Sequence, residues 1–271
     1  MFNLGKLLKS FERKAIKVEK RLRLVISVLM MSFLLLLSTF FYFDKALIMI
    51  PVLILTSFVF SYFSLLEEIE KMDWFGLFFM PVTLTVFFYM FYFLFPGRWL
   101  TRLPLIFVYA ISFYAVLLCS NIFNVGVEKN LQLYRAGFSI NFFYLTFVSF
   151  LIFNILFSFK EIFFVNMLVV GGAGFLLSLH LYWTIRLKRH LESQVLHYAF
   201  LTAVLLTEVA VLVSFIPLRS TIASLFLTAT FYSLGGIIYN QIDEKLFKET
   251  IREYVFVWIF VFIICMLSIS W

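Results

Sequence analysis

Charged residues are scarce in this chain. They make up 14% of its 271 residues, whereas hydrophobic residues make up 63%. An ordinary soluble domain has about 25% charged and about 45–50% apolar residues. A water-soluble fold has no interior large enough for such an apolar excess. The composition therefore excludes a soluble globular protein and indicates one that lies within a lipid bilayer.

The sequence also lacks the motifs of several classes of membrane enzyme and pump. It has no HExxH of a metalloprotease, no P-loop and no GxSxG nucleophile elbow. Its three aspartates, Asp44, Asp73 and Asp243, all fall between apolar runs, which excludes a buried aspartyl pair. No connection is long enough for a nucleotide-binding domain, so ATP-driven transport by this chain alone is excluded. These absences favour a protein that is not an enzyme, although they do not decide the question.

Nine apolar runs, each about as long as a bilayer is thick, account for most of the chain. The runs are continuously apolar and do not alternate, so helices are favoured over a β-barrel. The predicted fold is all-α, a polytopic membrane bundle of about nine transmembrane helices. The predicted organisation is a basic N-terminal segment at 1–23 and a single transmembrane domain at 24–271. The predicted spans are 24–43, 46–66, 75–96, 103–125, 140–159, 162–184, 197–217, 220–240 and 254–270.

The basic segment at the N-terminus has the pattern of an amphipathic helix. Residues 2–16 carry Leu4, Leu7, Leu8 and Phe11 on one side, and their basic residues lie largely off that stripe. Such a helix lies in the membrane interface, where its basic residues meet anionic lipid headgroups. We therefore predict the bilayer's anionic headgroups as one partner of the chain.

Positive charges are distributed unequally between the two sides that the spans define. Seventeen Lys and Arg residues fall on the side of the N-terminus and five on the other. Because cytoplasmic loops carry the excess of Lys and Arg, we predict a cytoplasmic N-terminus and a non-cytoplasmic Trp271. The absence of an Asn-x-Ser/Thr sequon fits a prokaryotic plasma membrane. The same distribution accounts for the net charge of +7, so we expect no nucleic-acid partner.

The few cysteines and histidines predict no metal and no cofactor. Cys119 and Cys265 fall at different membrane depths and do not have the spacing of a metal site. His180 and His197 lie near the cytoplasmic ends of consecutive spans, but no third ligand accompanies them. Histidines at helix ends are common at membrane interfaces, so we assign these two no ligand.

Glu208 lies near the middle of the seventh predicted span, in the sequence LLTEVAV. A charged side chain at that depth costs about 2.5 kcal/mol or more on insertion scales, so Glu208 is expected to face protein or water. Polar and small residues at the same predicted depth are Thr228 and Thr230 of the eighth span and Gly171, Gly172 and Gly174 of the sixth. Polar groups that converge near the midplane, beside glycines, form the sites of many transporters. These residues are a candidate substrate-binding or coupling site. The alternative is a neutral, structural Glu208 hydrogen-bonded to a threonine or a backbone carbonyl.

A polar stripe near the cytoplasmic end of the fourth span is a second candidate. Asn121, Asn124, Glu128, Gln132 and Arg135 recur at steps of three and four residues. On a helix that continues past the membrane, this spacing places all five on one face. The stripe could line a cytoplasmic mouth, or it could be the solvated face of an ordinary helix end.

Three functions are consistent with these sequence features. The first is a small-solute transporter or binding protein that uses the Glu208 carboxylate. The second is a non-catalytic membrane subunit or scaffold, with membrane-protein partners or further copies of the chain. The third is an interfacial lipid-modifying enzyme, in which Glu128 and Arg135 would matter more than Glu208.

Overall fold

The structure is a computed structural model that describes residues 18–41, 43–66, 74–125, 131–187 and 191–269. In these ranges every regular element is helical, and nine of the helices are long and apolar enough to cross a membrane. In chain order they are α1 (Lys20–Ser38), α2 (Phe43–Leu65), α3 (Trp74–Tyr92), α4 (Trp99–Val125), α5 (Leu131–Ser158), α6 (Phe163–Arg186), α7 (Ser193–Ser214), α8 (Ser220–Ile242) and α9 (Lys248–Leu267). The predicted fold class is confirmed. By length and composition, the chain is an all-α integral membrane protein.

Most helix boundaries agree with the predicted spans to within a few residues, and α5 differs most. It begins at Leu131, whereas the prediction began at 140. The polar residues Gln132 and Arg135 made these first turns resemble a connection. Both residue types have good helix propensity, and Ser139 Oγ donates a hydrogen bond to the Arg135 carbonyl (3.1 Å). The helix therefore extends beyond the apolar run that hydropathy detects.

The helices group into two compact units, Met1–Asn141 and Phe142–Trp271, and the boundary between the units falls within α5. The single domain predicted over 24–271 stays a prediction, because a grouping of helices into compact units does not test whether they form one domain. The amphipathic helix predicted at 2–16 lies outside the described residues, and α1 begins a few residues later, at Lys20.

In the first unit, α1 and α3 each pack against both α2 and α4. Buried hydroxyl groups link these helices from within. Ser64 Oγ of α2 donates to Ser27 Oγ of α1 (2.8 Å). Thr85 Oγ1 of α3 lies 3.3 Å from Ser57 Oγ of α2 and 2.9 Å from Tyr109 Oη of α4. Neutral hydrogen bonds of this kind fix how membrane helices pack, because their alternative is an unsatisfied polar group in hydrocarbon.

In the second unit, α8 is the most buried of the helices and packs against α6, α7 and α9. Asn154 Nδ2 of α5 also donates to Ser224 Oγ of α8 (3.1 Å). Two glycines let neighbouring side chains reach the α8 backbone: Gly235 faces Leu181 of α6, and Gly236 faces the ring of Tyr254 of α9. The surface of α8 is therefore covered largely by protein.

Helix α9 has the opposite character. It packs mainly against α8, and Cys265 is the one buried side chain among its described residues. Its outer surface carries large apolar side chains, among them Phe256, which is 69% exposed, and Phe260, which is 56% exposed. Such a surface suits lipid contact, because lipid tails are as apolar as these side chains.

Candidate functional site

The three glycines of α6 have different roles in its packing against α7. A Cβ atom on Gly171 would lie 2.7 Å from Thr207 Oγ1, and one on Gly174 would lie 2.8 Å from Leu206 Cδ1. Distances under 3.0 Å are essentially never seen for real Cβ atoms, so these two glycines permit the close approach of the helices. A Cβ atom on Gly172 would instead meet no other atom within 4 Å. Gly172 is therefore exposed and leaves space beside the helix.

That space is part of a groove between α6 and α7 with a volume of about 480 Å³. Gly171 and Gly172 contribute to the groove, and Phe175 of α6 and Phe200 of α7 are among its apolar lining residues. Glu208 of α7 also lines it. The structure thus brings three of the predicted site residues to one groove.

Glu208 lies on an exposed face of α7 that is otherwise apolar. At steps of four residues along the same helix are Phe200, Val204 and Leu212, with exposed fractions of 65%, 37% and 65%. Glu208 is itself exposed, and the structure gives its carboxylate no hydrogen bond within the described part of the chain. The described chain therefore does not cover Glu208, and the expectation that it faces protein or water stays a prediction. Its carboxylate lies on the outer surface of the described chain.

The depth of Glu208 also differs from the prediction. It lies six residues before α7 ends at Ser214, which is about 9 Å along the axis at about 1.5 Å per residue. It therefore lies in the C-terminal half of α7, about 7 Å past the helix midpoint, because the helix begins and ends a few residues earlier than predicted. The Cα–Cβ bonds of a helix tilt toward its N-terminus. The Glu208 side chain consequently leaves the backbone in the direction of the helix centre, away from the nearer end.

A second groove, of about 280 Å³, has lining residues from α7, α8 and α9. Glu208 also lines this groove, together with Thr230 and Ser233 of α8 and Trp258 of α9. Both hydroxyl groups already have partners. Trp258 Nε1 donates to Thr230 Oγ1 (3.0 Å), Thr230 Oγ1 donates to the Phe226 carbonyl (2.9 Å), and Ser233 Oγ donates to the Tyr254 carbonyl (3.0 Å).

Thr228, the other predicted member of the site, does not line either of these two grooves. It is buried, with 6% of its surface exposed, and its Oγ1 has no hydrogen-bond partner among the described residues. Trp258 is a site residue that the prediction missed. A signal was available in the sequence, since tryptophans of membrane helices concentrate at the interfaces whereas Trp258 lies near the middle of α9.

The described members of the predicted polar stripe lie on α4 and α5. Asn121 and Asn124 lie on α4, which ends at Val125, whereas Gln132 and Arg135 lie on α5; the fifth member, Glu128, is outside the described residues. Residues 126–130, which would join α4 to α5, are outside the described residues, so the single polar face predicted for the stripe stays a prediction. Asn124 is buried, and its Nδ2 donates to the Leu65 carbonyl of α2 (3.4 Å). Gln132 and Arg135 are exposed.

The histidines and cysteines are also separated. His180 is buried in α6, whereas His197 is exposed on α7, and its Nδ1 lies 2.7 Å from the carbonyl oxygen of Ser193 in the same helix. Cys119 and Cys265 are both free thiols, and they belong to different units. Among the described residues, no group of three or more His, Cys, Asp or Glu side chains could hold a metal ion.

The helices that form the two grooves lie in the part of the chain that matches a protein family. The family DUF5656, described as a protein of unknown function, matches residues 130–268, which is just over half of the chain. The chain belongs to this family. The matched region contains α5 to α9, and with them Glu208 and both grooves. No curated protein and no solved structure matches the chain.

Proposed function

We propose that this protein binds a small solute within the membrane and that the Glu208 carboxylate is the group that holds it. One observation carries the proposal: Glu208 is an exposed carboxylate on an apolar helix face, at the edge of two grooves. A carboxylate in lipid is costly unless it is paired. Because the described chain supplies no partner for it, a bound solute with a positive charge or a hydrogen-bond donor would stabilise it. Such binding is the first step that a solute transporter requires.

The proposal is tested by native mass spectrometry of the protein released gently from its own membranes. We expect the wild-type chain to retain a small molecule and the Glu208→Gln variant to lose it, because glutamine keeps the shape of the side chain but removes the negative charge. Glu253→Gln is the matched control, since Glu253 is another exposed glutamate on a spanning helix. Equal retention by wild type and Glu208→Gln would contradict the proposal.

A second candidate function is a membrane subunit or scaffold of a larger assembly. The observation that favours it is the sparse packing of α9, whose exposed apolar surface could pack against another membrane protein. It is the weaker candidate, because lipid covers such a surface without cost. In the same mass spectra, a protein chain bound in fixed stoichiometry would support this function, and a lone chain with a small molecule would count against it.

For the orientation we propose a cytoplasmic N-terminus in a prokaryotic plasma membrane, on the basis of the 17-to-5 distribution of Lys and Arg. Single cysteines in a background with Cys119 and Cys265 replaced by serine would test it. A membrane-impermeant maleimide added to intact cells should label a cysteine at Gly97 and not one at Glu192. The reverse pattern would reverse the orientation.

A further inference from the structure

We infer that the solute of the Glu208 site is a single-chain primary ammonium amphiphile, with its head at Glu208 and its chain in the groove between α6 and α7. The inference rests on the proposed function and adds to it the class of ligand and the groove that holds it. The inference follows from the polar groups that line the two grooves, the volumes of the grooves and the position of Glu208 along α7.

The polar groups of the two grooves limit the head of the ligand. The hydroxyl groups of Thr230 and Ser233 make hydrogen bonds to neighbouring groups, and Thr207 Oγ1 donates to the Ala203 carbonyl (2.7 Å). Glu208 is thus the polar residue that both grooves share and the one without an internal hydrogen bond within the described ranges. A ligand that fits has one cationic, hydrogen-bond-donating head, because hydrogen bonds to charged groups are the strong ones. The rest of it is apolar.

The volumes of the two grooves indicate that the apolar part of the ligand lies in the groove between α6 and α7. Its volume of about 480 Å³ lies within the range of about 300–1,000 Å³ that is typical of ligand sites. The groove at α7, α8 and α9, with about 280 Å³, lies below that range. Gly172 leaves the larger groove open, and the exposed side chains of Leu168 and Phe200 line it on the outside of the chain. A ligand can therefore enter sideways from the lipid.

The depth of Glu208 distinguishes between two sources of a primary ammonium group. One source is the headgroup of an aminophospholipid, and the other is a single-chain amine. Glu208 lies about 9 Å along the helix axis from the end of α7. An aminophospholipid whose ammonium group reached Glu208 would bring its phosphate, only two carbons away, below the helix end and close to a carboxylate of the same sign. Like charges in a medium of low dielectric constant repel strongly. A single-chain amine carries no phosphate, and we assign the site to it.

The test uses the full chain in nanodiscs of phosphatidylcholine, with dodecylamine as the probe and native mass spectrometry to measure the bound fraction. We expect wild-type protein to bind dodecylamine. Glu208→Gln should weaken binding about tenfold or more, as the loss of a charge-assisted hydrogen bond implies. Dodecyltrimethylammonium should bind more weakly than dodecylamine because its head has no N–H donor.

Two variants that each fill one groove locate the chain of the ligand. Gly172→Leu fills the groove between α6 and α7, at a position with open space. Val255→Phe fills the other groove at a residue that is 40% exposed, so both variants are expected to fold. Gly172→Leu should weaken dodecylamine binding about as much as Glu208→Gln does, and Val255→Phe should leave it unchanged. Unaltered thermal unfolding confirms the fold of each variant.

Three results would overturn the inference. Loss of binding in Val255→Phe with normal binding in Gly172→Leu would place the ligand in the smaller groove and leave the proposed function intact. Displacement of dodecylamine by phosphatidylethanolamine added to the nanodiscs would assign the site to a lipid headgroup. If wild type does not bind dodecylamine, the ligand class is wrong; the proposed function then stands only if the molecule retained from native membranes still depends on Glu208.

Discussion

The two units of the chain place their polar groups differently. In the first unit, the hydroxyl groups of Ser57, Thr85 and Tyr109 are fully buried and form contacts from helix to helix. The second unit has buried polar contacts of the same kind, such as that between Tyr182 Oη and Thr202 Oγ1 (2.7 Å), but it also exposes Glu208 on an apolar face. Neutral buried groups are explained by packing alone. The exposed carboxylate of Glu208, which lies between the exposed apolar residues Val204 and Leu212 of α7, is not explained in this way. The comparison therefore distinguishes polar residues that serve the fold from the residue that we propose binds a ligand.

The largest effect that we expect comes from the tight contact between α6 and α7. Gly174→Leu should lower the free energy of unfolding by about 1–3 kcal/mol or more, as overpacking does, because a Cβ atom there lies 3.7 Å from the Cα of Ala203 and 2.8 Å from Leu206 Cδ1. Thermal unfolding in detergent, followed by circular dichroism, measures it.

Gly172→Leu is the matched control for that substitution. It changes the same residue type to the same side chain on the same helix, two positions earlier, where there is open space. It should leave the unfolding temperature nearly unchanged. Equal destabilisation by the two substitutions would show that α6 is sensitive to any side chain and would remove the distinction between its packing and its groove-forming glycine.

A smaller effect is expected from the hydroxyl contacts of the first unit. Thr85→Val should cost about 1 kcal/mol of stability, the order of magnitude measured for hydrogen bonds between membrane helices, since Thr85 Oγ1 contacts both Ser57 and Tyr109. Thr56→Val is the control, because Thr56 Oγ1 donates only to carbonyls of its own helix, those of Val52 and Leu53. If the two variants unfold at the same temperature, the contacts between helices do not stabilise the unit.

The smallest effect on stability is expected at Glu208. Glu208→Gln should change the free energy of unfolding by no more than about 0.5 kcal/mol, as is usual for exposed positions, although the same substitution should remove the bound solute. Comparison of unfolding curves for protein freed of small molecules measures this. A large loss of stability would mean that Glu208 is a structural residue, which is the alternative interpretation of the sequence. Glu208 would then serve the fold, as the buried hydroxyl groups of the first unit do.

Hydropathy along the sequence was enough to predict the type and the approximate positions of the membrane-spanning helices, and their number in the described part of the chain. The reason is physical: a span must be about 20 residues long and apolar, and in lipid each helix satisfies its own backbone hydrogen bonds. These are properties of one segment at a time. The same reasoning identified Glu208 as an unusual residue, since a carboxylate within an apolar run is visible without knowledge of any neighbour.

The sequence could not show what the residues of each helix face, because that depends on how the helices pack in three dimensions. Gly171, Gly172 and Gly174 are equivalent in the sequence, yet two of them permit helix contact and one opens a groove. Thr228 and Thr230 have the same predicted depth, yet of the two it is Thr230 that lines the smaller groove with Glu208. Such differences arise because the direction of a side chain depends on how helices rotate and pack against one another. Hydropathy along one chain segment carries no information about that rotation, because lipid and neighbouring helices are equally apolar.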